Sequence, residues 1–86
     1  MSTELKRKIL RRDDFGLCVL LPKTAWSAAP EPGGTLMANV NGDRRRLRVR
    51  SESCTCGGHP LHEHRFLSLP AGCGLRADQR CTIALK

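Results

Sequence analysis

No tyrosine occurs among these 86 residues, and Phe15, Trp26 and Phe66 are the only aromatics. A core without aromatic bulk has to be assembled from leucine, valine and isoleucine. A chain this short supports one domain with a thin core. Long apolar runs are missing too. The longest, Leu17–Leu21, stops at Pro22 and is far too short to span a bilayer. The basic residues near the N-terminus have no apolar segment behind them, so no secretory leader and no membrane association are expected. A cytoplasmic, reducing compartment is the expectation. Five cysteines agree with it, because an odd number is awkward for a disulfide framework.

Catalytic signatures are likewise absent. There is no phosphate-binding loop and no dinucleotide fingerprint. Asp13-Asp14 falls at a turn, and Glu31, Glu52 and Glu63 fall in loops, so no carboxylate pair is set up for acid–base work. Cys54 or Cys56 beside His59 offers a thiol near a base, but on a loop without rigid support. The sequence is not expected to encode an enzyme.

Positive charge is what the sequence has in excess. The formal net charge is +7. More than half of that excess sits in one eight-residue stretch, where Arg44, Arg45, Arg46, Arg48 and Arg50 face only Asp43. Such a patch attracts phosphate backbones or an acidic protein surface. A solvated strand face is the plainer account of the same residues.

The chain reads as mainly β: five to six short strands in a small barrel or swapped-hairpin domain covering residues 1–86. Thr35–Val40, then Asn41-Gly42, then Asp43–Arg50 is the clearest element, because Asn-Gly supplies the two positive φ angles that a tight hairpin turn needs. Strand side chains alternate with period two. Arg44, Arg46, Arg48 and Arg50 should therefore share one solvent-facing side, with Arg45, Leu47 and Val49 on the other. Lys8–Arg12 is expected to pair with Leu17–Leu21 across Asp13-Asp14-Phe15-Gly16. Leu5 and Ile9, four apart, admit a short N-terminal helix instead. Residues 22–34 and 51–63 read as loops, the first too rich in proline for a regular helix through most of its length. Trp26 should pin that first loop to the core. His64–Leu69 and Arg80–Leu85 complete the strands, the latter with Cys81, Ile83 and Leu85 inward. VLLP at 19–22 and LSLP at 67–70 each precede a glycine-containing connection and a β run, which raises the prospect of a duplicated strand–loop–strand unit.

ILRRDDFGLCVLLP, followed after a connection by GTLMANVNGDRRRLRVR, resembles the AbrB/MazE-like swapped-hairpin DNA-binding domains over residues 8–50. That resemblance implies an intertwined homodimer that binds DNA through basic residues near the first hairpin. The matching positions are Arg11 and Arg12.

One cluster carries metal-ligand chemistry. Cys54, Cys56, His59, His62 and His64 lie within eleven residues, with Gly57-Gly58 to let the chain wrap. Thiolate and imidazole suit tetrahedral zinc, and Cys73 could add a distant ligand. The Cys-x-Cys spacing is less usual than Cys-x2-Cys, so a polar loop with clustered histidines is the competing account.

The leading expectation is a small basic β domain that binds DNA or RNA through the Arg44–Arg50 face, aided by Lys6, Arg7, Lys8, Arg11 and Arg12. The alternatives are a protein-interaction module, such as a small phage or mobile-element accessory protein docking on an acidic surface, and a zinc-stabilised binding domain. Scarce aromatics lean toward the interaction module, since single-strand binders usually offer stacking platforms.

Overall fold

The computed structural model describes residues 3–14, 16–54, 62–70, 72 and 74–85. Seven strands run through them: β1 Thr3–Lys8, β2 Leu10–Arg12, β3 Gly16–Leu21, β4 Thr35–Val40, β5 Asp43–Cys54, β6 His62–Ser68 and β7 Arg80–Leu85. All pair antiparallel in one sheet of order β1-β7-β4-β5-β6-β3-β2. The expected mainly-β class is what forms. The N-terminal segment is a strand and not a helix, because Leu5 pairs with Ile83 on the core side while Glu4 and Lys6 point outward. The first two strands form one bent run with Ile9 at the bend, so the count exceeds five to six only by that break. The two sheet edges are thus consecutive pieces of chain. With β1 and β2 as unpaired edges, the sheet does not close into the expected barrel.

Its inner face is a leucine, isoleucine and valine core, as the scarcity of aromatics required. Val19, Leu21, Leu47, Val49, Leu67, Ile83 and Leu85 are essentially inaccessible, and Ile9 joins them. Cys81, Ile83 and Leu85 point inward as read from the sequence. Among the described residues no helix is long and apolar enough to cross a membrane.

The Asn41-Gly42 turn forms, with φ of 52° and 88° and Val40 opposite Asp43. Asn41 also does something its place in a turn did not announce. Its N–H donates to Thr82 O (2.8 Å), and its Oδ1 accepts from Thr82 N (2.9 Å), carrying the β4–β7 ladder past the end of the strand. Asn41→Ala should cost about 2 kcal/mol: ~1 kcal/mol for a Cβ-bearing left-handed residue without a side-chain bond, and ~1 kcal/mol for the lost acceptor. Asn41→Gly keeps the turn and should lose only the second part. Thermal unfolding of the two variants checks this; equal melting temperatures would refute it.

The two expected loops are shorter than read. Between Pro22 and Pro30 a six-residue 3-10 helix, Lys23–Ala28, occupies part of 22–34. Trp26 anchors it as expected, donating Nε1–H to Leu21 O (2.9 Å) and packing on the core. Residues 51–54 and 62–63 of the second loop belong to β5 and β6, because the ladder continues through Ser51↔Arg65 to Cys54↔His62.

An internal two-fold relates the halves of the chain. β3 and β6 pair so that Val19 lies opposite Leu67, with Leu20↔Phe66 and Cys18↔Ser68 on either side. This is the register expected if VLLP and LSLP are equivalent. The pair Thr35↔Arg48 is matched by Arg80↔Lys8, and Arg50↔Phe66 by Leu10↔Cys18. β5 is therefore the counterpart of the bent run β1–β2. Connecting hydrogen bonds repeat too. Gly33 N donates to Val49 O (2.8 Å) and Val49 N to Gly34 O (2.9 Å); Asp78 N donates to Ile9 O (2.7 Å) and Ile9 N to Gln79 O (2.8 Å). Gly33 and Asp78 both take positive φ, 94° and 68°. The suspected duplicated unit is thus present as a repeat in space.

Candidate nucleic-acid interface

The two-residue turn after β4 sets the parity of β5, and parity sets the face. Leu47 and Val49 are fully buried, while Arg44, Arg46 and Arg48 are exposed on the opposite side. Arg50 continues the row but is half-buried, opposite Phe66. Arg45 lies on the inner parity near the end of the strand, within 3.9 Å of Asp43.

Neighbouring strands add to this face. Asn39, Met37 and Thr35 of β4 lie opposite Arg44, Arg46 and Arg48. Met37 is the one large apolar side chain exposed among the described residues, at 39%. Beyond β4, the two-fold places Lys6, Lys8 and Arg80 on the same side of β1 and β7, with Lys8 as the twin of Arg48. All three are exposed. Three strand spacings of ~4.8 Å put the Arg46–Arg48 and Lys6–Lys8 rows roughly 14 Å apart along the sheet. None of these six cations has an acidic partner within ion-pair distance among the described residues.

Arg11 and Arg12 part company. Arg11 is exposed, without an acidic partner among the described residues. Arg12 pairs with Glu52 and lies over the Phe66 ring, 5.2 Å from its centroid. Beneath Arg12, Cys18 and Phe66 are buried on the outer side of the sheet, apart from the main core. Burial pushes the Cys18 thiol up, with the Arg12 charge working in the other direction. A neutral, enclosed thiol has no nucleophilic role.

A shallow groove of about 300 Å³ runs beside the arginine row, between Arg46, Arg48 and Arg50 on one wall and Ser68–Pro70 on the other. Leu69 and Pro70 form a ridge shared with a larger cleft of about 650 Å³. Arg11, Asp13, Leu17 and Leu75 also line that cleft. Neither was readable from the sequence, since each joins residues from separate strands and connections.

Of the cysteine–histidine cluster, Cys56 and His59 lie outside the described residues, as does Cys73. Cys54 and His62 occupy directly opposed positions at the end of the β5–β6 ladder, and His64 lies opposite Glu52. Among the described residues no three His, Cys, Asp or Glu side chains gather around a point that would hold a metal.

Trp26 does not serve as an open stacking platform. The Arg65 guanidinium covers one face at 4.1 Å, and Arg65 is itself held by Glu31 (3.3 Å) and Glu63 (3.2 Å). Compared with known proteins, the chain matches no protein-family model, no curated protein and no solved structure.

Proposed function

We propose that this chain binds nucleic acid through the outer face of β5, β4, β7 and β1. The observation that supports this most is the row Arg44, Arg46 and Arg48. Like charges on alternate positions of one strand repel each other and stabilise nothing in the fold. A polyanion laid along the row relieves that repulsion. Each guanidinium fork can give two parallel hydrogen bonds to a phosphate. Such contacts position a duplex or strand without reading bases, so binding is expected to tolerate sequence. The resemblance of residues 8–50 to AbrB/MazE-like domains bears on the same reading. Of its two positions, Arg11 is available and Arg12 is engaged by Glu52. The internal two-fold supplies within one chain the symmetry that the resemblance would take from a homodimer.

The test is binding of the full chain to random-sequence duplex and single strands at low salt. Affinity that falls steeply with salt supports the reading. No affinity for either form refutes it and turns attention to an acidic protein surface, which would use the same arginines.

The placement of Cys54 opposite His62 favours a second reading, a structural zinc site at that end of the ribbon. Thiolate and imidazole ligands couple metal binding to folding. Under that reading a chelator lowers the melting temperature of the purified protein; an unchanged melting temperature disposes of it.

A further inference from the structure

The internal two-fold has one conspicuous mismatch, and it lies at the large cleft. In the first half, β3 ends at Leu21-Pro22, and Trp26 folds back over it. The indole N–H is bonded to Leu21 O (2.9 Å), and the ring is covered by Arg65. The two-fold carries Leu21-Pro22 onto Leu69-Pro70 and Arg65 onto Leu17, as the β3–β6 register requires. It therefore carries the seat of Trp26 onto the cleft walled by Leu69, Pro70 and Leu17. The second connection, between Pro70 and the 76–79 turn, is shorter than the first and contains no aromatic residue. Where one half of the molecule holds a planar ring with an N–H donor, the other half holds a cleft of about 650 Å³. That is within the range of small-ligand pockets, roughly 300–1,000 Å³.

The geometry points to an unpaired nucleobase as the occupant of this cleft, a deepening that rests on the nucleic-acid reading above. Three features select a base over an aromatic side chain of a protein partner. The cleft shares its Leu69–Pro70 ridge with the groove beside Arg46, Arg48 and Arg50, so a strand whose phosphates lie on those arginines passes the cleft mouth. Arg11, exposed at the edge, can take the phosphate attached to the inserted nucleotide. Asp13, also exposed there, is an acceptor for the amine and imide N–H groups that line a base edge, as carboxylates are for cytosine N4. Leu17, Leu69 and Leu75 supply the apolar surface that the base faces need. The chain is thereby assigned to single strands, or to duplexes with an unpaired nucleotide, ahead of fully paired duplex, because extruding a paired base costs a few kcal/mol.

The experiment uses the full chain and short oligonucleotides of equal length at low salt: a single strand, its abasic-substituted counterpart, and the paired duplex. A fourth probe carries 2-aminopurine at a central position. The single strand should bind roughly tenfold more tightly than the abasic strand, about 1.4 kcal/mol. The 2-aminopurine emission should change on binding. Leu75→Glu, which puts a carboxylate in the lining of the cleft, should remove most of that preference, whereas Arg11→Gln, an exposed change that leaves the core untouched, should weaken the normal and abasic strands alike, since both carry the phosphate. Residual binding to the β5 arginines should survive in both. Equal affinity for the normal and abasic strands overturns the inference and leaves the arginine-face reading standing. Tighter binding of the paired duplex does the same. Displacement of the bound strand by a tryptophan-containing peptide, with no abasic penalty, would show that the cleft takes a protein side chain instead. Failure of every oligonucleotide to bind removes both readings together.

Discussion

Replacing Arg46 and Arg48 together with alanine is expected to cut affinity for nucleic acid about two hundredfold at ~50 mM monovalent salt, and only about twentyfold at ~200 mM. Both figures follow from one relation. Each phosphate neutralised contributes ~0.9 to the slope of log K against log salt, so two lost contacts lower the slope by about two. Their cost therefore grows as salt falls. Arg46 and Arg48 are exposed, have no acidic partner among the described residues and stand opposite Met37 and Thr35 of β4. Their removal takes nothing from the core, and the melting temperature should hold or rise as repulsion along β5 is relieved. Anisotropy titrations at several salt concentrations separate this from a trivial loss of fold. A parallel shift of the line, with its slope unchanged, would mean that these arginines do not touch phosphate.

Ile9→Ala should be the most damaging of the conservative core changes. Truncating a buried isoleucine costs ~2–5 kcal/mol, and a chain of this length has roughly 4–13 kcal/mol in all. Position 9 carries more than its own packing. It is fully buried at the bend that joins the two edges of the sheet, and both its N–H and its C=O are bonded to the 78–79 segment. Its twin, Val49, makes the matching bonds but sits inside a continuous strand. Val49→Ala should therefore lower global stability without local opening. Ile9→Ala should in addition release the amides of Ile9 and Asp78 below the global unfolding limit. Native-state hydrogen exchange distinguishes these outcomes. Uniform loss of protection in both variants would show that the edge junction has no special role.

How much of this was legible in the residues depends on the distance over which each feature is encoded. The hairpin at Asn41-Gly42 and the arginine row are local: a two-residue turn with positive φ and a period-two alternation determine them within a dozen residues. Arg80–Leu85 is equally local. Leu5 and Ile9 fit both a helix and a strand, and only pairing with Ile83 across almost the whole chain decides between them. The same holds for residues 51–54 and 62–63, whose polar composition reads as loop while the ladder beneath them keeps them extended. Arg12 looked like a free DNA contact. Its pairing with Glu52 and Phe66 arises only when β2, β5 and β6 are laid in order. The cleft was the least legible, because it is a difference between two halves that the VLLP and LSLP echo made visible only in outline.

The pairing of β1 with β7 has a consequence for how the molecule comes into being. Thr3 lies opposite Leu85, so of these seven strands the first to be synthesised has its partner in the seventh. β2, β3, β4 and β5 can form their hairpins during synthesis, but β1 must wait with an unsatisfied ladder until β7 has been made. Closing contacts of such sequence separation is slow for a chain this small, and a waiting strand invites pairing with another nascent copy. Its alternation of Glu4, Lys6 and Lys8 around Leu5 keeps that edge charged during the delay, in the way that exposed edge strands are protected from aggregation.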